Sequence, residues 1–312
     1  MASRTIDPTL RSQRTKQIAL LAIFSALYIV LRFIPFSVLI GATGGYLSFS
    51  DFLAPIIGIL LGPYLGGLTV LIGNFGAIGF GRATNFPTLF GLADFLPDFV
   101  AVVSVGFLMR RKWIPAVVAL NVGLLALFLV DPLTSLFVTI PGTTISIPFA
   151  WMHIAAIIVL ISPLGWKAGK WIELGSKTLT VSSKKEPINR KQKYYFAIKS
   201  KINKFFGDKR LVGGLVILVF IGTMMQHLTG NILFELSFGQ IGNPPIIPVA
   251  IWPSEWTLVV FAYPVERTIL IISAVLVGVP LIRTIAKNHF IKIGKQERRI
   301  KTTCYFLNKT LS

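Results

Sequence analysis

A single cysteine, Cys304, is all the sulfur chemistry this sequence offers. It supports no disulfide framework, no CxxC pair and no Cys/His zinc set. Acidic residues are scarce as well: 12 Asp and Glu stand against 31 Lys and Arg, a net charge of +19 over 312 residues. The phosphate loop GxxxxGK[ST], the metalloprotease HExxH and the nucleophile elbow GxSxG are all missing. So are an arginine-rich voltage-sensing span and a selectivity-filter sequence. The chain therefore carries no recognisable ATPase or hydrolase machinery, and any ATP-driven work must come from another protein. No cofactor is implied. Charged residues make up only 14% of the chain while 54% is hydrophobic, too little polar surface for a soluble domain of this size.

What the sequence does contain is long apolar runs. Mean hydropathy is +0.73. A run of about 18 apolar residues crosses the hydrocarbon core as a helix. Lipid offers no partner to the backbone, so the spans are helices or a closed barrel. These runs lack the alternation of barrel strands. The predicted fold is an all-α polytopic transmembrane bundle of eight spans: 17–33, 52–61, 68–80, 89–109, 114–130, 149–164, 211–234 and 264–285. The apolar stretch 256–263 either extends the last span or forms its approach. The basic start before the first run is read as part of a retained span rather than a cleaved signal, because Phe33-Ile34-Pro35-Phe36 is a poor cleavage site.

Basic residues test this map. The N-terminal tail, the Arg110-Arg111-Lys112 patch, the segment 165–210 and the tail after residue 282 together hold 28 of the 31 Lys and Arg. Eight spans with a cytoplasmic N-terminus put every one of these patches on the cytoplasmic side. The organisation is then a basic tail (1–16), a six-span block (17–164), a basic cytoplasmic loop (165–210), a two-span block (211–286) and a basic tail (287–312). The positive-inside rule accounts for the basic excess without nucleic acid, and such loops suit anionic lipid at the cell membrane. The stretch Tyr194–Phe206 is a candidate surface helix on that lipid.

The remaining charges gather on the opposite side. Asp94 and Asp98 are four apart, on one helix face, with Pro97 between them to loosen the helix. Arg82 precedes them and is placed to pair with one. Asp51 opens the second span. His227, Asn231 and Glu235 share one face of span seven, either lining a polar mouth or meeting water at a helix end. Glu266 follows Pro264 at the start of the last span, as a helix-end carboxylate or as a partner of Arg267 or Arg82. Trp252 and Trp256 read as interfacial anchors ahead of a stacking surface. An ionisable group inside a span costs about 2.5–3.5 kcal/mol on insertion scales, so it faces a cavity or a partner. Two outer loops, Gly41–Phe49 and the proline-rich Gly239–Glu255, are placed to cover such a pocket. Small residues are dense over 58–81, where Gly58, Gly62 and Gly66 have GxxxG spacing for close helix packing and Asn74 needs a partner.

Three segments carry a family resemblance. Ala19–Leu31, with its spaced alanines, looks like the first helix of the S components of energy-coupling-factor (ECF) transporters. Leu47–Gly81, containing Leu-Leu-Gly-Pro-x-x-Gly-Gly, is similar to their second and third helices. Tyr-Pro-Val-Glu-Arg-Thr (263–268) leading into an apolar helix and basic tail resembles their last one. The resemblance implies a non-enzymatic subunit that captures a vitamin or related micronutrient from outside. It implies partnership with a transmembrane T component, contacted through Ala22 and Ala26, and with ATPase subunits. The expected binding residues are Arg82, Asp94, Asp98, His227, Asn231, Glu235, Glu266 and Arg267. Eight spans exceed the six usual for S components, which makes spans five and six a candidate insertion. Two other classes fit the intramembrane carboxylates: an enzyme acting on a lipid or polyprenyl substrate, with Asp94 and Asp98 as acid and base or holding a metal, and a self-contained ion-coupled transporter.

The topology makes a direct prediction. Cysteines placed singly along 184–209 should react with a membrane-impermeant thiol reagent only after the cytoplasmic face is opened. Labelling of intact cells at those positions would overturn the map.

Overall fold

The computed structural model describes residues 8–38, 46–83, 90–177, 208–240 and 246–287. The Tyr194–Phe206 stretch, Cys304 and the basic tail beyond 287 lie outside the described residues, as do parts of both covering loops. The helices are α1 (Pro8–Arg32), α2 (Ser50–Ala83), α3 (Leu96–Met109), α4 (Ile114–Val130), α5 (Trp151–Ile161), α6 (Pro163–Lys177), α7 (Lys209–Glu235) and α8 (Trp252–Lys287). Two short antiparallel hairpins join them: β1 (Pro35–Val38) with β2 (Tyr46–Ser48), and β3 (Phe137–Thr139) with β4 (Ser146–Pro148). The chain is an all-α membrane protein. By length and apolarity five of its stretches can cross a bilayer, six with the bent pair α5–α6, and α4 is a shorter apolar helix.

That count takes Ser50–Gly81 as one stretch, yet its backbone breaks at Gly62, with φ 77° and ψ −173°. This region belongs almost only to glycine. A Cβ on Gly66 would lie 3.4 Å from the carbonyl oxygen of Ile57. Along a straight helix those nine residues span ~14 Å, so the two arms of α2 fold back on each other. Arg110 closes the turn: its Nη2 donates to the carbonyl of Leu61 at 3.0 Å, an orphan acceptor where the first arm ends. Helix α3 seats its own backbone on the turn, because Cβ on Gly106 would fall 2.4 Å from the nitrogen of Pro63. The GxxxG spacing read in the sequence therefore serves close packing.

Several boundaries depart from expectation. The sixth span was expected to end at 164 and give way to a loop. Instead α5 bends by 68° at Ser162–Pro163 and continues as α6. Proline suits the first turn of a new helix and forces the break. Helix α6 then packs tightly on its neighbours: a Cβ on Gly169 would lie 2.6 Å from the carbonyl oxygen of Met109, and one on Gly214 of α7 2.6 Å from that of Ala168. The start of the basic loop is thus part of the bundle. Pro97 does not loosen α3 but stands at its first turn. Helix α8 runs unbroken from Trp252, settling how the approach 256–263 joins the last span.

The two sequence blocks share one core. Ile56, Ile57 and Leu60 of α2 and Val102, Val105 and Leu108 of α3 form one buried cluster with Leu215 and Leu218 of α7 and Leu270 and Val279 of α8. A second, aromatic cluster lies toward the other end, built from Phe128, Phe149, Phe234, Trp252, Trp256 and Tyr263. The ends also differ in charge. Gly62, Arg110, Arg111, Glu173 and Leu211 are linked by contacts at one end. At the other stand Arg32 and the carboxylates of Asp51, Asp94 and Asp98.

Replacing Gly106 by Ala should lower stability by about 1–3 kcal/mol through overpacking, and Gly62→Ala by a similar strain term. Gly123→Ala on α4, where a Cβ meets nothing within 4 Å, should not. Thermal unfolding in detergent reads the difference. Equal melting of all three variants would contradict the packing described.

Candidate functional site

Helix α1 sorts its residues by face. Phe24, Tyr28 and Arg32, spaced at i, i+4 and i+8, turn inward, whereas Ala19, Ala22 and Ala26 are exposed. Arg32 ends the helix and reaches two carboxylates: Nη2 lies 3.0 Å from Asp94 and Nη1 3.9 Å from Asp51. The β1–β2 hairpin brings Ser48 within 3.5 Å of Arg32 and 3.3 Å of Asp51. Asp94 sits in a tight 3-10 turn, Gly91–Phe95, and accepts the backbone N–H of Phe90 at 2.8 Å.

Asp98, in the first turn of α3, faces a different set of partners. The hydroxyl of Tyr28 and the side-chain amide of Gln226 both donate to it. The Gln226 carbonyl in turn faces Nη1 of Arg267 at 3.4 Å. Three carboxylates and two guanidiniums from α1, α2, the turn before α3, α3 and α8 thus gather in one buried group with a slight negative excess. Burial of this kind is tolerated because each carboxylate meets a cation or a donor and each guanidinium a carboxylate or an acceptor.

A stacked group adjoins it. His227 follows Gln226 on α7, and Arg267 lies one turn beyond Tyr263 on α8. Nε2 of His153 and Nδ1 of His227 are 3.1 Å apart, and their rings stack at 5.2 Å and 10°. Tyr263 stacks on His227 at 4.8 Å, and its hydroxyl donates to the Phe149 carbonyl at 2.9 Å. Farther along, Glu235 is 1% exposed and accepts the hydroxyl of Thr134. Glu266 is half-buried and accepts the hydroxyl of Ser37.

Several buried polar atoms have no partner among the described residues: Nε of Arg267, Nδ1 of His153, Nδ2 of Asn231, Nε1 of Trp252 and both amide atoms of Asn74. Buried polar groups are nearly always satisfied, so these mark hydrogen-bonding capacity for something else. Apolar and aromatic walls with a few convergent polar atoms are what small-molecule sites consist of.

Of the residues expected at the site, Asp94, Asp98 and Arg267 meet in the ionic network, and His227 joins the adjoining stack. Asn231 and Glu235 follow along α7, and Glu266 lies apart on Ser37. The side chain of Arg82 lies outside the described residues; among the described residues Arg32 pairs with Asp94. Two readings are corrected. Trp252 and Trp256 are not interfacial anchors: each is 1% exposed, and Trp256 donates to the Leu133 carbonyl at 2.7 Å. The row on α7 is not a water-exposed helix end, since all three residues are buried. Tyr28, Arg32, Gln226, His153 and Tyr263 escaped the sequence reading. The i, i+4 spacing of Tyr28 and Arg32 was an available signal, whereas His153 stands alone in an apolar run.

This architecture defines a multi-pass membrane protein with a buried polar centre near one end of its bundle. Residues 16–161, a little under half of the chain, match the model of the family described as ECF transporter, substrate-specific component. Residues 162–312, with α7 and α8, lie beyond the matched segment. No curated protein and no solved structure matches the chain. The match supports a substrate-specific membrane subunit.

Arg32→Met would remove the cation that pairs with Asp94 and Asp51 among the described residues and should cost about 3–5 kcal/mol of stability. Tyr28→Phe removes one donor to Asp98 and should cost about 1–3 kcal/mol. Unfolding of purified variants measures both. An Arg32→Met protein as stable as the parent would refute the network.

Proposed function

We propose that this subunit captures a vitamin or related micronutrient from outside the cell and hands it to an ATP-driven uptake complex. The observation that carries the reading is the set of unpartnered buried groups (Arg267 Nε, His153 Nδ1, Asn231 Nδ2) beside the ionic network. In an integral membrane protein each such group costs free energy unless a ligand or water completes it. Arg82 and Arg267 would hold an anionic or carbonyl group of the substrate. Asp94, Asp98, His227, Asn231, Glu235 and Glu266 would take its donors or balance a positive charge.

The same reading supplies the rest of the cycle. Eight crossings, counting the two arms of α2 separately, place both termini and the basic loops in the cytoplasm, against anionic lipid. The exposed Ala22 and Ala26 offer a flat stripe on α1 for a T component, and separate ATPase subunits supply the energy. The engagement of Asp94 by Arg32 and of Asp98 by Tyr28 and Gln226 favours binding over metal-dependent catalysis.

Protein purified in mild detergent should carry a small molecule detectable by mass spectrometry after denaturation. Calorimetry against a vitamin panel should find a nanomolar ligand. Arg267→Gln should weaken it by about tenfold or more, or about 1.4 kcal/mol, with a smaller loss for Glu266→Ala. A panel without any ligand would contradict the proposal, as would unaltered binding by Arg267→Gln or accumulation in liposomes that lack ATPase subunits.

A further inference from the structure

The two stretches that build the aromatic end of the bundle have a one-sided charge. Residues 113–166 and 211–266 contain no Lys or Arg, yet they hold Asp131, Glu235, Glu255 and Glu266. The fold brings the first three to the same end: Asp131 follows α4, Glu235 closes α7 and Glu255 lies in the first turn of α8. Asp131 is engaged locally by the backbone N–H of Leu133 at 2.9 Å and by the amide of Gln240. Glu235 has the Thr134 hydroxyl and apolar surroundings. Oε2 of Glu255 is buried with no partner among the described residues. Among the described residues no cation pairs with any of these three.

Aromatic rings stand between them. Phe234 is 5.3 Å from Trp252, Trp252 is 5.8 Å from Trp256, and Trp256 is 4.9 Å from Phe149. Trp252 is 1% exposed and Asn231 7% exposed, and among the described residues the Nε1 of one and the Nδ2 of the other have no acceptor. Carboxylates in an apolar setting without a counter-ion call for positive charge. Aromatic faces attract cations, most strongly when water is excluded. A hard metal ion would need several convergent oxygens, and the groups here are aromatic faces, carboxylates on separate helices and two N–H donors. The donors instead call for a ring nitrogen or carbonyl.

We propose that the aromatic end between α4, α5, α7 and α8 selects a planar, positively charged nitrogen heterocycle. Its charge lies against Glu235 and Glu255, its ring among Phe234, Trp252 and Trp256, and an acceptor edge meets the N–H groups of Trp252 and Asn231. This rests on the capture reading above and narrows its substrate class.

The test uses the full-length protein in nanodiscs and three bicyclic probes of similar shape: N-methylquinolinium, neutral quinoline and anionic quinaldate. Quenching of tryptophan fluorescence, corrected with empty nanodiscs, reports binding. The cation should bind about tenfold or more tightly than quinoline, and quinaldate weakest. Glu235→Gln should abolish the preference for charge while leaving quinoline binding in place. Should that variant fail to fold, Glu255→Gln, at a half-buried position, should reduce the preference. Equal binding of all three probes, a preference for quinaldate, no binding by any of them, or an undiminished preference in the foldable variant would overturn the inference. A co-purified ligand that is anionic or non-aromatic would overturn it too while leaving the capture reading standing. The absence of any vitamin ligand would defeat the capture reading itself.

Discussion

The ion pair between Arg32 and Asp94, with Asp51 beside it, is the constraint around which the rest of the bundle is arranged. A guanidinium and three carboxylates near the membrane interior are stable only as a group. Their mutual satisfaction fixes how α1 ends, where α2 begins and how the turn before α3 is wound. The 3.0 Å contact draws residues 62 positions apart in the chain onto one site. The β1–β2 hairpin follows from the same demand, since it delivers Ser48 to that site.

The network does not close within the segment that matches the family. Asp98 takes a donor from Gln226, and Gln226 faces Arg267, so α7 and α8 complete what α1 to α3 begin. The apolar cores repeat this arrangement, with α7 and α8 packed among α2 and α3. Whatever the origin of α4 to α6, the binding face proposed here is a joint product of both sequence blocks. The glycine-lined backbone contacts at the basic end hold that frame rigid.

Much of this was legible in the sequence, and the reasons differ by element. Helix existence followed from apolar runs, because lipid leaves the backbone few alternatives. The turn at Gly62 was visible in Gly-Pro-x-x-Gly-Gly, since φ above zero and a proline start are local requirements. Asp94, Asp98, His227 and Arg267 stood out because charge inside an apolar run is costly anywhere. Their partners did not. Nothing local pairs Arg32 with Asp94, and Gln226 is an ordinary helix residue until the fold sets it against Asp98, 128 positions away. The tryptophans misled because one side chain serves equally well at an interface and in a core. The continuation of α5 into α6 was hidden by its lysines, which read as loop although the opposite face is Gly and Ala.

The central claim is that the two blocks form one polar centre through Asp98 and Gln226. A double-mutant cycle on unfolding free energy, with Asp98→Asn, Gln226→Leu and the pair, tests it most directly. The account predicts a coupling of about 1–3 kcal/mol between the two positions. Additive effects, with no coupling beyond about 0.5 kcal/mol, would mean that the residues do not meet and that α7 and α8 take no part in the centre.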